Sequence, residues 1–463
     1  MSDIDGTEMV GRISTGVLGL DAILKGGIPL YSTCVIAGVP GAGKTILTQE
    51  ILFNAAKPDS KSLYLTTVSE PAAKVVRYQQ AFSFFDPDKV GDDFFYLDLG
   101  EIIQDQGPTK SLDVLTKLIK DYAPRQIAID SFRAIHDLVP NREEFRSFAF
   151  ELAVKFSSWA TTAFLIGEYT RDEINTFPEF AIADSIINLT VETTAGTTRR
   201  YLEVLKLRGS DFIPGKNYYK ISRDGIRLFP RVFIRPGQGI QIGCTRVPVG
   251  IDQLDALLDG GIPEEAVVSI TGSAGTGKTL MGIHFVCNGA QKYDEPGVYF
   301  SYEESDVQIV EMAKAFGWNI DELIERNLLR FCYKEPIDLS VEEELERMRE
   351  VIQDMGAKRI VVDSLSPLFL SLGDENSIRQ SAFQMSLSFK EAGVTAFVVS
   401  DVPVGSERVS RFGPEESVFD GIMIMKAKMI EGRRDRFVEI FKMRGTRLHA
   451  PISQNVSIRQ PGL

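Results

Sequence analysis

Two patterns of apolar positions alternate along this chain, and the alternation runs through twice. Short runs that are apolar at nearly every position read as strands buried on both faces. In the first half they are Thr33–Ala37, Leu63–Thr67, Gln126–Ile129 and Ala163–Gly167. In the second half they are Ala266–Ile270, Gly297–Ser301, Arg359–Val362 and Ala396–Ser400. Between them lie stretches of helical period, among them Ile46–Ala56 and Leu280–Ala290. Strands alternating with helices predict an α/β fold, a mostly parallel sheet flanked by helices. Each half closes with turn-rich, strand-like sequence: Ser185–Glu192 and Tyr201–Leu207, then Gly421–Lys426 and Phe437–Met443. These predict antiparallel strands at the sheet edge. A length of 463 residues accommodates two such domains. Proline and glycine break the pattern in FPRVFIRPGQGIQIGC, 229–244, which sets the boundary near residue 240 and gives domains 1–240 and 241–463.

The halves are copies of one another. STGVLGLDAILKGGIP begins at Ser14 and PVGIDQLDALLDGGIP at Pro248, and each leads into a glycine-rich stretch at the same distance (250 − 16 = 272 − 38 = 234). A repeat this long marks a duplicated domain rather than a solenoid. The glycine-rich stretches are GVPGAGKT, Gly38 to Thr45, and GSAGTGKT, Gly272 to Thr279. Both fit G-x-x-x-x-G-K-[ST] between a strand and a helix, the phosphate-cradling P-loop. Gly38, Gly41 and Gly43, like Gly272, Gly275 and Gly277, let successive N–H groups face phosphate at a helix N-terminus. Lys44 and Lys278 would neutralise phosphate charge, and Thr45 and Thr279 would offer hydroxyls to Mg²⁺. A chance GKT after a glycine turn is the plain alternative for one copy. Its recurrence in the same context leaves two tandem P-loop NTPase domains, each expected to bind a nucleotide with Mg²⁺.

Further repeats carry candidate chemistry. IAIDS and IVVDS place Asp130 and Asp363 at strand ends, where a carboxylate holds Mg²⁺, usually through water. Past Gly297–Ser301 come Glu303 and Glu304, set to orient and deprotonate a water. At an offset of 234 the first copy has Ser69 and Glu70, so Glu70 is the candidate base there. A helix cap and first turn would also favour these acids. Lys206 and Arg208, like Lys442 and Arg444, stand two apart on a strand and so share a face. Arginine geometry suits a γ-phosphate, including one across a subunit interface; a solvated pair beside Glu203 or Glu439 is the alternative.

Composition narrows the setting. With 44% hydrophobic and 25% charged residues the chain is expected to be soluble and folded. No apolar run approaches the roughly 20 residues of a membrane span. MSDIDGTEMVGR lacks the features of a signal peptide. Cys34, Cys244, Cys287 and Cys332 are scattered, which predicts buried thiols, a reducing compartment and a cytoplasmic location. A net charge of −13 disfavours nucleic acid as partner.

Taken together, a doubled RecA-like core with GxxxxGKT, SYEES, VVDSLS and FKMRGT resembles the circadian-clock KaiC family over nearly the whole chain. The resemblance implies a homohexameric double ring with ATP between neighbouring subunits in both tiers. It implies that Lys44, Thr45 and Asp130 hold first-tier ATP and Mg²⁺, and Lys278, Thr279 and Asp363 the second. Glu303 and Glu304 match paired catalytic glutamates, and Lys206, Arg208, Lys442 and Arg444 match residues reaching the neighbour's nucleotide. Three departures stand out. Ser69 replaces the leading first-tier glutamate. Glu416-Ser417 stands where the family carries an autophosphorylated Ser-Thr pair, so Ser417 is the candidate phosphosite. The tail by which clock members engage their activating partner is essentially missing. The expectation is therefore a ring-forming regulatory ATPase outside the standard oscillator, signalling to a partner protein. A RecA-like DNA-stimulated ATPase and a non-catalytic, nucleotide-stabilised scaffold are the rivals.

Overall fold

The computed structural model describes residues 11–67, 72–139, 141–194, 197–232, 245–337, 339–406, 408–430, 433–447 and 456–457. Contacts group the chain into two compact units that change over between Arg231 and Val232. The boundary expected near residue 240 falls in 233–244, outside the described residues.

In the first unit the P-loop strand β1 (Thr33–Gly38) leads into helix α1 (Lys44–Ala55). Strands β2 (Ser62–Thr66), β3 (Phe94–Asp98), β4 (Gln126–Asp130) and β5 (Thr162–Glu168) follow. The unit closes with β6 (Ser185–Thr194), β7 (Thr197–Leu207), β8 (Lys216–Ser222) and β9 (Gly225–Phe229). The sheet order is β9-β8-β7-β6-β1-β5-β4-β2-β3. From β6 to β3 neighbouring strands pair parallel, while β7–β8 and β8–β9 are antiparallel.

The second unit repeats the plan with β10 (Val267–Gly272), α2 (Lys278–Tyr293), β11 (Gly297–Ser301), β12 (Leu329–Tyr333), β13 (Arg359–Asp363) and β14 (Thr395–Asp401). A short helix α3 (Pro414–Val418) precedes β15 (Gly421–Ile430) and β16 (Arg433–Met443), and β17 (Val456–Ser457) closes the edge. The order is β12-β11-β13-β14-β10-β15-β16-β17, parallel except for β15–β16 and β16–β17.

Both central strands are apolar at most positions because both faces are covered, with Thr33, Ser269 and Thr271 as buried polar exceptions, and a strand's side chains alternate between faces. Cys34 and Ile36 pack in one core layer with Leu47 and Ile51 of α1, while Val35 and Ala37 pack in the other with Ile127 and Ile129. Cys34 and Cys287 are buried as expected, but Cys332 is only half-buried at the sheet edge, and Cys244 lies outside the described residues. Among the described residues no helix is long and apolar enough to cross a membrane. Chain order and strand order differ, so β5 lies between the P-loop strand and the strand ending in Asp130. That gap lets the first turn of α1 reach across to Asp130.

Candidate functional site

At the C-terminal ends of the central strands each loop turns on glycines with positive φ: Gly38, Gly41 and Gly43 at +153°, +74° and +89°, and Gly272, Gly275 and Gly277 at +157°, +77° and +100°. Gly38 is demanded by its neighbour, since a Cβ there would stand 2.3 Å from the Leu189 carbonyl oxygen. At Gly41 a Cβ would meet nothing within 4 Å, because that side opens into a cleft of ≈ 850 Å³. Lys44, Thr45, Asp130, Glu168 and Arg200 line the same cleft. An open concavity of backbone N–H groups before a helix is suited to phosphate.

Both loop lysines are held by their own loop. Lys44 Nζ donates to Val39 O at 3.0 Å and lies 3.7 Å from Glu168; Lys278 Nζ donates to Ser273 O at 3.0 Å and lies 2.8 Å from Asp401. Burial lowers the Lys44 ammonium from its ordinary range, against the opposing charges of Glu168 and Asp130.

Beside them, Thr45 Oγ1 donates to Asp130 Oδ2 at 2.7 Å and Thr279 Oγ1 to Asp363 Oδ2 at 2.9 Å. A threonine that gives its proton to an aspartate keeps oxygen lone pairs for a cation, so the pair fits Mg²⁺, which takes few protein ligands and retains phosphate and water. Among the described residues no cluster of three or more His, Cys, Asp or Glu could hold a metal by itself. The same aspartate oxygens receive a second hydroxyl, from Tyr64 of β2 and from Tyr299 of β11 at 2.6 Å. Burial, then the adjacent carboxylate, pushes both phenols well above their ordinary range, which keeps them donors.

Past β11, Glu303 Oε1 accepts from Ser364 Oγ at 2.6 Å. Though Glu303 is open to solvent overall, its carboxyl end faces acids. Partial burial, then the charges of Asp401 and Asp363, raise it above the ordinary carboxylate range, and the Ser364 bond opposes them. Glu304 is raised by burial first and by Glu303 second, and its Oε2 is buried without a hydrogen-bond partner. Glu70 and Ser69 lie outside the described residues. Strand pairing matches Thr66 beside Asp130 with Ser301 beside Asp363, and Thr67 N and Tyr302 N donate to those two aspartate carbonyls. Counting on along the sequence, Glu303 and Glu304 answer to Val68 and Ser69, whereas the 234 offset sets them against Ser69 and Glu70.

The basic pairs sit elsewhere. Lys206 Nζ donates to Ala181 O at 3.4 Å and Arg208 pairs with Asp184 at 3.2 Å, while Asp184 N donates to Thr33 O at the start of β1. Lys442 Nζ donates to Glu416 O and Phe419 O at 2.8 and 2.7 Å, and Arg444 to Ser417 O at 2.8 Å; Asp420 N donates to Val267 O at the start of β10. Each central strand has six residues, roughly 20 Å at ~3.3 Å per residue, and its P-loop lies at the other end. The structure thus brings together P-loop, aspartate and, in the second unit, Glu303, and separates all of them from the basic pairs of the same unit. Ser417 is exposed on α3, donating to Pro414 O at 2.9 Å, and Glu416 accepts from Ser410 at 2.7 Å.

Sequence reasoning did not find Tyr64, Tyr299, Glu168, Asp401 or Ser364. A signal existed for two of them: AFLIGE and AFVVSD each end an apolar run with a carboxylate, the same cue that singled out Asp130 and Asp363.

A family model described as "ATPase: KaiC" matches residues 13–232 and again 247–461. Among similar proteins, the circadian clock oscillator protein KaiC of Picosynechococcus sp. is 27% identical over 453 residues, covering 94% of this chain and 86% of its own. The protein of that name from Acaryochloris marina is 28% identical over 468 residues, covering 98% and 88%. That from Rippkaea orientalis is 28% identical over 456 residues, covering 95% and 86%.

Proposed function

The chain belongs to the KaiC family of ATPases in the RecA superfamily, and from that premise we propose that it is a ring-forming regulatory ATPase completed between subunits. Each domain takes ATP on its P-loop. Lys44 and Lys278 exchange their loop carbonyls for phosphate, and Thr45 with Asp130 and Thr279 with Asp363 hold Mg²⁺. The cation would supply charge neutralisation between the phosphates. In the second domain Glu303 accepts the proton of the attacking water, with Glu304 beside it. Glu70 is the first-domain candidate, and the strand register supports hydrolysis chiefly in the second domain.

The observation that carries this reading is the separation of each basic pair from the P-loop of its own unit, repeated in both copies. A cation able to reach γ-phosphate only from a neighbour makes each active site a property of two subunits. Lys206, Arg208, Lys442 and Arg444 then serve the adjoining subunit's nucleotide, in a homohexamer with two tiers. Sedimentation with and without ATP·Mg²⁺ tests it: assembly is expected with nucleotide and should fail for the double variant Lys44→Ala with Lys278→Ala. A chain that stays a single subunit in saturating ATP·Mg²⁺ refutes the reading.

Ser417 is the proposed autophosphorylation site, also served by a neighbour's nucleotide, since it lies at the pole of the sheet away from its own P-loop. Mass spectrometry of the phosphopeptide after incubation with ATP·Mg²⁺ decides it. The cytoplasm is the proposed setting and a signalling protein the proposed partner. Stimulation by single-stranded DNA would favour the DNA-dependent rival, against a net charge of −13. Unchanged phosphate release in Glu303→Gln would favour the scaffold.

A further inference from the structure

The geometry points to Tyr64 and Tyr299 as positioning residues that fix the metal-facing aspartates. This rests on the proposed role of Asp130 and Asp363 at the nucleotide's cation. The two tyrosines come from the middle of SLYLT and GVYFS, strands whose flanking residues are aliphatic or aromatic. Strand parity turns Leu63 and Leu65 to one core layer and Tyr64 to the other, under α1; Val298 and Phe300 flank Tyr299 in the same way. Both tyrosines are fully buried. Their rings pack as core side chains, Tyr64 at 5.7 Å from Tyr96 and Tyr299 at 6.0 Å from Phe331.

A phenylalanine would satisfy that packing. Burying a hydroxyl costs free energy unless it is hydrogen-bonded, and here the bond goes to the aspartate in both copies. It goes, moreover, to the oxygen that already accepts from threonine, Oδ2 in each case. Rotation of either carboxylate would break two hydrogen bonds at once. The threonine bond ties the aspartate to the P-loop helix through the same hydroxyl that is offered to the cation; the tyrosine bond ties it to the strand paired beside its own. The tyrosine therefore holds the carboxylate in place before nucleotide arrives, and its loss is felt as weaker cation binding.

The test is the double substitution Tyr64→Phe with Tyr299→Phe, which keeps both rings. A fluorescent ATP analogue is titrated into the full chain in EDTA and then at increasing Mg²⁺, with thermal unfolding measured alongside. Affinity in EDTA is expected to be unchanged, and the Mg²⁺ concentration for half-maximal tightening is expected to rise about tenfold. An unchanged Mg²⁺ requirement, or an equal loss of affinity with and without Mg²⁺, overturns the proposal. If the double variant does not fold, Tyr299→Phe alone is read in the same way. Asp130→Asn with Asp363→Asn is the control. If that variant keeps its full Mg²⁺ response, the metal reading of the aspartates falls and the tyrosine role with it. If it loses the response while the phenylalanine variants keep theirs, the tyrosine role falls alone.

Discussion

Ser364, the residue after the strand-ending aspartate, gives its hydroxyl to Glu303 at 2.6 Å. That contact joins the proposed base to the proposed metal carboxylate. Glu303→Gln is expected to lower phosphate release by about 10²- to 10³-fold while leaving nucleotide binding intact, measured by a coupled phosphate assay and direct titration. The pH dependence has a definite sign. Glu303 sits above the ordinary carboxylate range, so the rate should fall at a higher pH than an ordinary glutamate would give as acid is added. Ser364→Ala removes the bond that favours the charged form and should move that midpoint upward; a downward move refutes the contact's role.

Complementation between subunits separates action on a neighbour from action within a chain. Lys278→Ala and Arg444→Ala subunits are each expected to lack second-tier turnover. Mixed equally and reassembled, about one interface in four pairs an intact loop with an intact arginine, so roughly a quarter of that turnover should return. Phosphate release above the Glu303→Gln baseline measures it. No recovery would place the arginine's action on its own loop.

The loop glycines should not be equivalent. Gly38→Ala adds a Cβ 2.3 Å from a carbonyl oxygen at φ +153°, whereas Gly41→Ala points into open space at φ +74°. The first is expected to cost on the order of 3 kcal/mol and the second about 1 kcal/mol, read from urea midpoints. Both should weaken ATP binding.

Glu50 links stability to pH. Buried on α1, it accepts from Ile226 N at 2.8 Å, and burial pushes it up to about 7. A carboxylate that binds its proton more tightly in the folded state adds stability as pH falls through that value, complete only below the unfolded-state pKa. The Tm of the wild type relative to Glu50→Gln should therefore rise by a few degrees between about pH 8 and about pH 6. A flat difference would show that Glu50 titrates normally.

How much was legible follows from where each constraint acts. The P-loops were readable because glycine, lysine and threonine must stand at fixed spacing in one short segment. The central strands were readable because double-sided burial keeps most of their positions apolar. Strands β3 and β12 were not, since at the sheet edge FFYLD and LRFCY are only half-buried and lose that signature. The hairpin β8–β9 went unread although Asp224-Gly225 marks its turn. Tyr64, Tyr299 and Ser364 stayed hidden for another reason. Their importance comes from which strand lies beside which, and hydrophobic period carries no information on strand order.

The polarity of the P-loop strand has one more consequence. On the proposed reading each domain accepts nucleotide at one pole of its sheet and offers lysine and arginine at the other, so the two surfaces that must meet are different surfaces. A self-matching twofold dimer would face like against like and leave both poles unserved. On that reading only head-to-tail stacking around a closed circle engages every pole, and dilution that opens the circle should lower turnover per subunit stepwise, an open pair keeping one served pole of two.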